Sequence, residues 1–168
     1  AAVLMLERCD LAVARRAPIW GEILGYGFSS DGENIVAPSR TGLGRAMRMA
    51  LKNAELMPQD ISYLCAHATS TPLGDAMEAG NILDIFGERG VPVSATKSMT
   101  GHELWMSGAA QVVYSCLMAR NDFMAANINF DEADEDTSHL DIITEIRQQP
   151  LTSALCKSAG FGGTNSSL

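Results

Sequence analysis

The sequence predicts an α/β protein built on a layered, mixed sheet, and three observations carry that prediction. Short apolar runs alternate along the chain with stretches of helical spacing. One of those stretches, from about His102 to Arg120, is apolar nearly all the way round and rich in Gly, Ala and Ser. Such a helix is expected to be buried on most sides. The chain has 168 residues, 46% of them hydrophobic, enough for one cored domain and too few for two comfortable ones.

Taken in order, Val3 to Glu7 reads as a buried strand. Ile19 to Ser29 gives a second, with Gly25 and Gly27 admitting a bend or bulge. A turn-rich loop, SSDGENIVAPSR, follows. From Thr41 to about Leu56, Leu43, Met47, Ala50 and Leu51 share one helical face, and Arg45, Arg48 and Lys52 form a solvated one. DISYLCAH is a short strand ending at His67, and Thr71 with Pro72 opens a helix running to about Phe86. VPVSAT is the next strand, and KSMTG leads into the helix from His102. An acidic loop, FDEADEDTSHLD, precedes the strand LDIITE. The strand LTSALCKSAG then meets the glycine turn GFGGTN. The chain opens inside an apolar strand without an initiator methionine and stops where another strand begins, so residues 1–168 read as a piece of a longer protein.

The bulk numbers exclude several classes. A net charge of −8 with no basic stripe argues against a nucleic-acid surface. No apolar run approaches the roughly 18 residues needed to span a bilayer, and no signal peptide opens the chain. Cys9, Cys65, Cys116 and Cys156 lack CxxC spacing and read as reduced, mostly buried thiols of a cytosolic protein.

In layered α/β folds, function gathers at the carboxyl ends of strands. Three such ends carry unusual residues: His67 with Thr69 and Thr71, Lys97 with His102, and the turn from Gly160 to Gly163. Placed in the first turn of a buried helix, His102 is expected to stay neutral, and a cationic Lys97 pushes the same way. Two neutral imidazoles donating to one point make an electrophilic clamp for a carbonyl oxygen that becomes an enolate. Glu78 is the natural ion-pair partner for Lys97, and Asp75 shares its helix face.

Other chemistries fit less well. HELWM begins like a zinc-protease HExxH, but Met106 stands where the second histidine is required. The acidic loop lacks the glycine and spacing of an EF-hand, and GFGGTN lacks the following GK[ST] of a phosphate loop. No metal site is expected. The glycines of GFGGTN suit a sharp turn that exposes backbone N–H groups.

HATSTPLGD, TKSMTGH and AGFGGTN resemble HGTSTPxGD, TKxMTGH and FGFGGTN of the β-ketoacyl-acyl-carrier-protein synthases, members of the thiolase superfamily. The resemblance covers essentially all 168 residues, with GYGFSSDGENIVAPS and ANINF included, and is closest to the bacterial fatty-acid condensing enzymes. It implies the C-terminal half of a thiolase-like layered fold and a decarboxylative Claisen condensation between malonyl-carrier and an acyl-enzyme thioester. By that resemblance His67 and His102 bind the malonyl thioester carbonyl, and Lys97 polarises the site through Glu78. Thr69 and Thr71 hydrogen-bond the pantetheine arm, and the backbone N–H of Phe161 supplies half of an oxyanion hole. The resemblance further implies an acyl carrier protein as partner, a homodimer, a cytoplasmic location and no resident cofactor, the phosphopantetheine arm arriving on the carrier.

Four departures stand out. The nucleophilic cysteine belongs to the family's N-terminal half, and none of the four cysteines here sits in a matching elbow. Ala159 takes the place of the first phenylalanine of FGFGG, the acyl-gate position. Trp105 and Met106 replace a Gly-Ala pair, and that bulk is expected to pack somewhere in the fold. Ala68 replaces a glycine, a change expected to matter less. The alternative reading is a non-catalytic chain-length-factor-like subunit that forms a heterodimer with a catalytic partner. A degradative thiolase is disfavoured, because the lysine of TKxMTGH belongs to the condensing branch.

Overall fold

The computed structural model describes residues 1–32, 34–36 and 39–168, so the loop expected over residues 29–40 lies partly outside the described residues. The helices are α1 (Cys9–Ala14), α2 (Arg40–Ala54), α3 (Pro72–Phe86), α4 (Lys97–Thr100) and α5 (Ser107–Arg120). The strands are β1 (Gly27–Ser30), β2 (Tyr63–Cys65), β3 (Pro92–Ser94), β4 (Asp141–Ile142), β5 (Ala154–Gly160) and β6 (Thr164–Ser167). They form one mixed sheet in the order β1-β6-β5-β2-β3-β4. The β1–β6 and β6–β5 pairs are antiparallel, and the β5–β2, β2–β3 and β3–β4 pairs are parallel.

Helix α2 behaves as its spacing dictates. Leu43, Met47, Ala50 and Leu51 are buried, and Arg45, Arg48 and Lys52 face water. Ser39 caps it, its Oγ accepting from the Gly42 N–H at 3.0 Å, a contact of the kind worth about 1 kcal/mol. The glycines before it serve close packing rather than a bulge. A Cβ on Gly25 or Gly27 would fall 2.6 Å from the backbone nitrogen of Ala54 or Ala50, respectively. Met47, Leu51, Leu64, Ile82, Val91 and Leu155 form the larger apolar core, between sheet and helices.

Four expectations about elements fail. Residues 3–7 form no strand; Val3, Met5 and Leu6 stand exposed, because no strand among the described residues pairs with them. In the second expected strand only Gly27–Ser30 pairs, with Ile19, Trp20, Ile23 and Leu24 about half exposed. The helix expected from His102 begins at Ser107. The chain ends α4 at Gly101 (φ 75°), and Leu104 takes a left-handed φ of 54°, so no continuous helix can pass through. Helix α5 buries a single stripe, Ser107, Ala110, Gln111, Ser115 and Met118, rather than most of its circumference.

Candidate active site

Parallel pairing of β5, β2 and β3 brings their carboxyl ends to one edge, as expected for an α/β sheet. His67 lies two residues past β2, and Lys97 three past β3. The rings of His67 and His102 meet edge to face, with centroids 5.6 Å apart and planes at 86°. The two histidines named from sequence are therefore neighbours.

His102 sits in the connection between α4 and α5, exposed, and not in a helical first turn. The helix-dipole argument for it does not apply. Its orientation is set locally: Nδ1 accepts from the Leu104 N–H at 3.1 Å and lies 3.3 Å from Ser107 Oγ. A backbone N–H can only donate, so the neutral ring carries its proton on Nε2. That leaves Nε2 as a donor.

His67 is mostly buried, and its Nδ1 has no hydrogen-bond partner. Burial, then the Lys97 charge, pushes its pKa down to about 4. Lys157 and His102 add to the shift and Glu78 opposes it. The imidazole is neutral at pH 7, as expected of both rings, through desolvation first and lysine charge second.

Glu78 corrects the sequence assignment. Its Oε1 lies 2.8 Å from Lys157 Nζ, not on Lys97, and both residues are almost fully buried. The same carboxylate accepts from the backbone N–H of His67 at 2.9 Å and of Ala68 at 2.7 Å. Burial raises the Glu78 pKa, but Lys157 and these donors outweigh it and hold the group below the usual carboxylate range. The register explains the partner: Cys65 pairs with Cys156, which puts Lys157 beside Ala66 at the end of β2. The signal was present in the sequence as the one charged residue inside LTSALCKSAG.

Lys97 is buried with its Nζ unpartnered, and burial lowers its pKa. It acts on His67 through charge alone. Asp75, one turn before Glu78, has a buried Oδ1 without a partner, and burial raises its pKa. Asp75 and Glu78 also line a cavity of about 100 Å³ with Asn127 and Phe130, which neither imidazole reaches.

The remaining residues frame the edge. Thr69 and Thr71 hydroxyls lie 3.3 Å apart on the His67 loop. Phe161 stands 81% exposed on the glycine turn. Asn165 Nδ2 donates to Asp31 Oδ1 at 2.6 Å and to the Gly163 carbonyl at 3.0 Å, fixing that turn. Ala159 follows Lys157 by two on β5 and so shares its face. Of the Trp105–Met106 pair expected to pack, Trp105 does not, standing fully exposed three residues after His102, whereas Met106 is half-buried. Ala68 has φ 22° and Ser70 φ 62°, so the glycine-to-alanine change places a side chain on left-handed backbone. Gln111 was not singled out from the sequence. Its Nε2 donates to the Ala66 carbonyl at 3.0 Å, and its Oε1 accepts from Ser158 Oγ at 3.3 Å, bridging β2 and β5 beneath the site. All four cysteines are free, with Cys65 and Cys156 buried and Cys9 exposed. No cluster of metal-ligating side chains occurs among the described residues.

Comparison with known proteins bears on the chain as a whole. Residues 20–131 match the family described as beta-ketoacyl synthase, C-terminal domain. The chain is 43% identical to 3-oxoacyl-[acyl-carrier-protein] synthase 1 of Escherichia coli over 166 residues, 99% of this chain and 40% of that protein. A beta-ketoacyl synthase from Burkholderia phymatum superimposes with a TM-score of 0.92 at 36% identity, covering 96% of this chain and 40% of the other. The ishigamide ketosynthase/chain length factor gives 0.91 at 32%, covering 95% and 40%. The chain spans about 40% of the length of the curated relatives it matches. The match over residues 20–131, with these relatives and solved structures, places the chain in the β-ketoacyl synthase family, as its C-terminal domain.

Proposed function

We propose that this chain supplies the malonyl-decarboxylating half of a β-ketoacyl-acyl-carrier-protein synthase. The carrying observation is the edge-to-face His67–His102 pair, with one ring neutral through burial and the other presenting Nε2–H. Both donate to the malonyl thioester carbonyl. As the C–C bond to the carboxylate breaks, carbon dioxide leaves and the electron pair moves onto that oxygen as an enolate. The enolate carbon then attacks an acyl thioester on a cysteine supplied by the N-terminal half, and the cysteine leaves as thiolate. Neither imidazole need give up its proton. Lys97 keeps His67 neutral, Thr69 and Thr71 take the pantetheine arm, and the Phe161 N–H serves the acyl oxyanion.

The partner in this reading is an acyl carrier protein bearing acyl and malonyl groups, met in the cytoplasm by a homodimer, with no resident cofactor. No described helix is long and apolar enough to cross a membrane. Likeness to a ketosynthase/chain length factor keeps the heterodimeric, non-catalytic subunit as second reading. The intact His67, Lys97 and His102 set favours the enzyme. The test is the full-length protein with acyl-carrier and malonyl-carrier: carbon dioxide and β-ketoacyl-carrier in equal amounts are expected. Absence of both, with activity appearing only on adding a catalytic partner, would establish the pairing subunit instead.

A further inference from the structure

We infer that Lys157 is a positioning residue for His67, acting through Glu78 to hold the His67–Ala68 backbone and so to aim the imidazole. The rate consequence rests on the condensing-enzyme reading above; the positioning itself does not. Glu78 uses both oxygens on this task. Oε1 takes Lys157 Nζ and the His67 N–H, and Oε2 takes the Ala68 N–H. The loop it holds needs holding, since Ala68 and Ser70 both sit at positive φ.

A buried ion pair is weak as a stabilising device, since apolar residues of similar size often do as well or better. Lys157 is 1% exposed and Glu78 4%, so this pair bears nearly the whole desolvation cost. Its return is geometric. A carboxylate clamped by a cation keeps two acceptors pointed at two consecutive N–H groups, which a protonated or swinging carboxyl would not. The charges around His67 are Glu78 from α3, Lys97 from α4, Lys157 from β5 and His102 from the α4–α5 connection. Lys97 supplies charge without a bond, and Lys157 supplies both.

Two variants of the full-length protein test this, Lys157→Met and the double variant Glu78→Gln/Lys157→Met. The His67 titration is followed by NMR of [13Cε1]histidine, with malonyl-carrier decarboxylation measured beside it. In Lys157→Met the His67 midpoint should rise by about one pH unit. Decarboxylation kcat should fall about tenfold or more, with KM within about twofold. The double variant removes the unpaired charge, so its thermal stability should match or exceed wild type. Its kcat should stay low, because glutamine offers one carbonyl oxygen to two N–H donors. An unmoved His67 midpoint with unchanged kcat in Lys157→Met overturns the inference, as does a double variant that recovers both stability and kcat. If Lys157→Met fails to fold, the double variant decides by kcat alone. If the wild-type protein releases no carbon dioxide, the functional reading fails, and hydrogen exchange at the His67 and Ala68 amides decides the positioning role: faster exchange in Lys157→Met supports it and unchanged exchange overturns it.

Discussion

At His67 two forces meet: a desolvated ring and lysine charge on one side, a carboxylate on the other. The lysines and burial win, so the folded state keeps the ring neutral down to about pH 4, while the unfolded chain protonates it near 6.5. Between those values the unfolded state binds more protons, so stability falls as pH drops through the window. The loss amounts to about 3 kcal/mol at most. His67→Gln should flatten that limb in chemical denaturation from pH 7 to 4. Glu78 and Asp141, both held below the usual carboxylate range, destabilise the fold only at lower pH, as they protonate. Ala68 belongs to the same scale. Ala68→Gly relieves a left-handed φ and should stabilise by about 0.5–1 kcal/mol in denaturant midpoint, where an unchanged or lower midpoint would show the strain absent. Ala159 lies on the Lys157 face of β5, so Ala159→Phe should change acyl selectivity more than malonyl decarboxylation. Equal kinetics across acyl lengths would assign acyl gating to another residue. What the sequence showed here were residues carried by motif spacing, His67, Lys97 and His102. It misassigned the Glu78 partner because that contact is made by strand register across 79 residues, which local spacing does not encode.

The elements were legible where one periodicity ran uninterrupted. Helix α2 and helix α3 begin and end within about two residues of their expected limits, because capping serine, N1 proline and apolar spacing all agree. The connection before α5 was not legible. Its break comes from Gly101 and a left-handed Leu104, and only the first has a sequence signature. The glycine turn between β5 and β6 is the opposite case, a sharp turn correctly read. Gly163 has φ 79°, and a Cβ there would lie 2.6 Å from the Gly32 nitrogen and 3.2 Å from the Asp31 nitrogen. Gly163→Ala should therefore cost about 2 kcal/mol or more and loosen the Asn165–Asp31 tie. Thermal unfolding with a wild-type midpoint would contradict that.

Across the described residues, six strands form one sheet over an apolar core, yet much apolar surface is not covered. Val3, Met5, Leu6, Ile19, Trp20, Ile23 and Phe161 are about half or more exposed, and α5 buries only one stripe. The sequence pattern registered residues 3–7, 19–29 and 102–120 as strands and a buried helix because it records what a segment is suited to bury, not what lies against it in the fold. The 168-residue chain by itself should bind apolar dyes or self-associate, and should show no condensing turnover. A monodisperse, dye-silent chain that elongates acyl-carrier would overturn this.

The central claim is that His67 and His102 act on the malonyl thioester and not on acyl transfer to the nucleophile. The direct measurement pairs acyl-enzyme formation, by intact mass, with carbon dioxide release from malonyl-carrier in full-length His67→Ala and His102→Ala. Losing one donor to a developing oxyanion costs on the order of 3–4 kcal/mol, or roughly 10²–10³ in rate. Decarboxylation should fall by that factor in each variant while acylation stays near wild type. Variants that block acylation and spare carbon dioxide release would contradict the account.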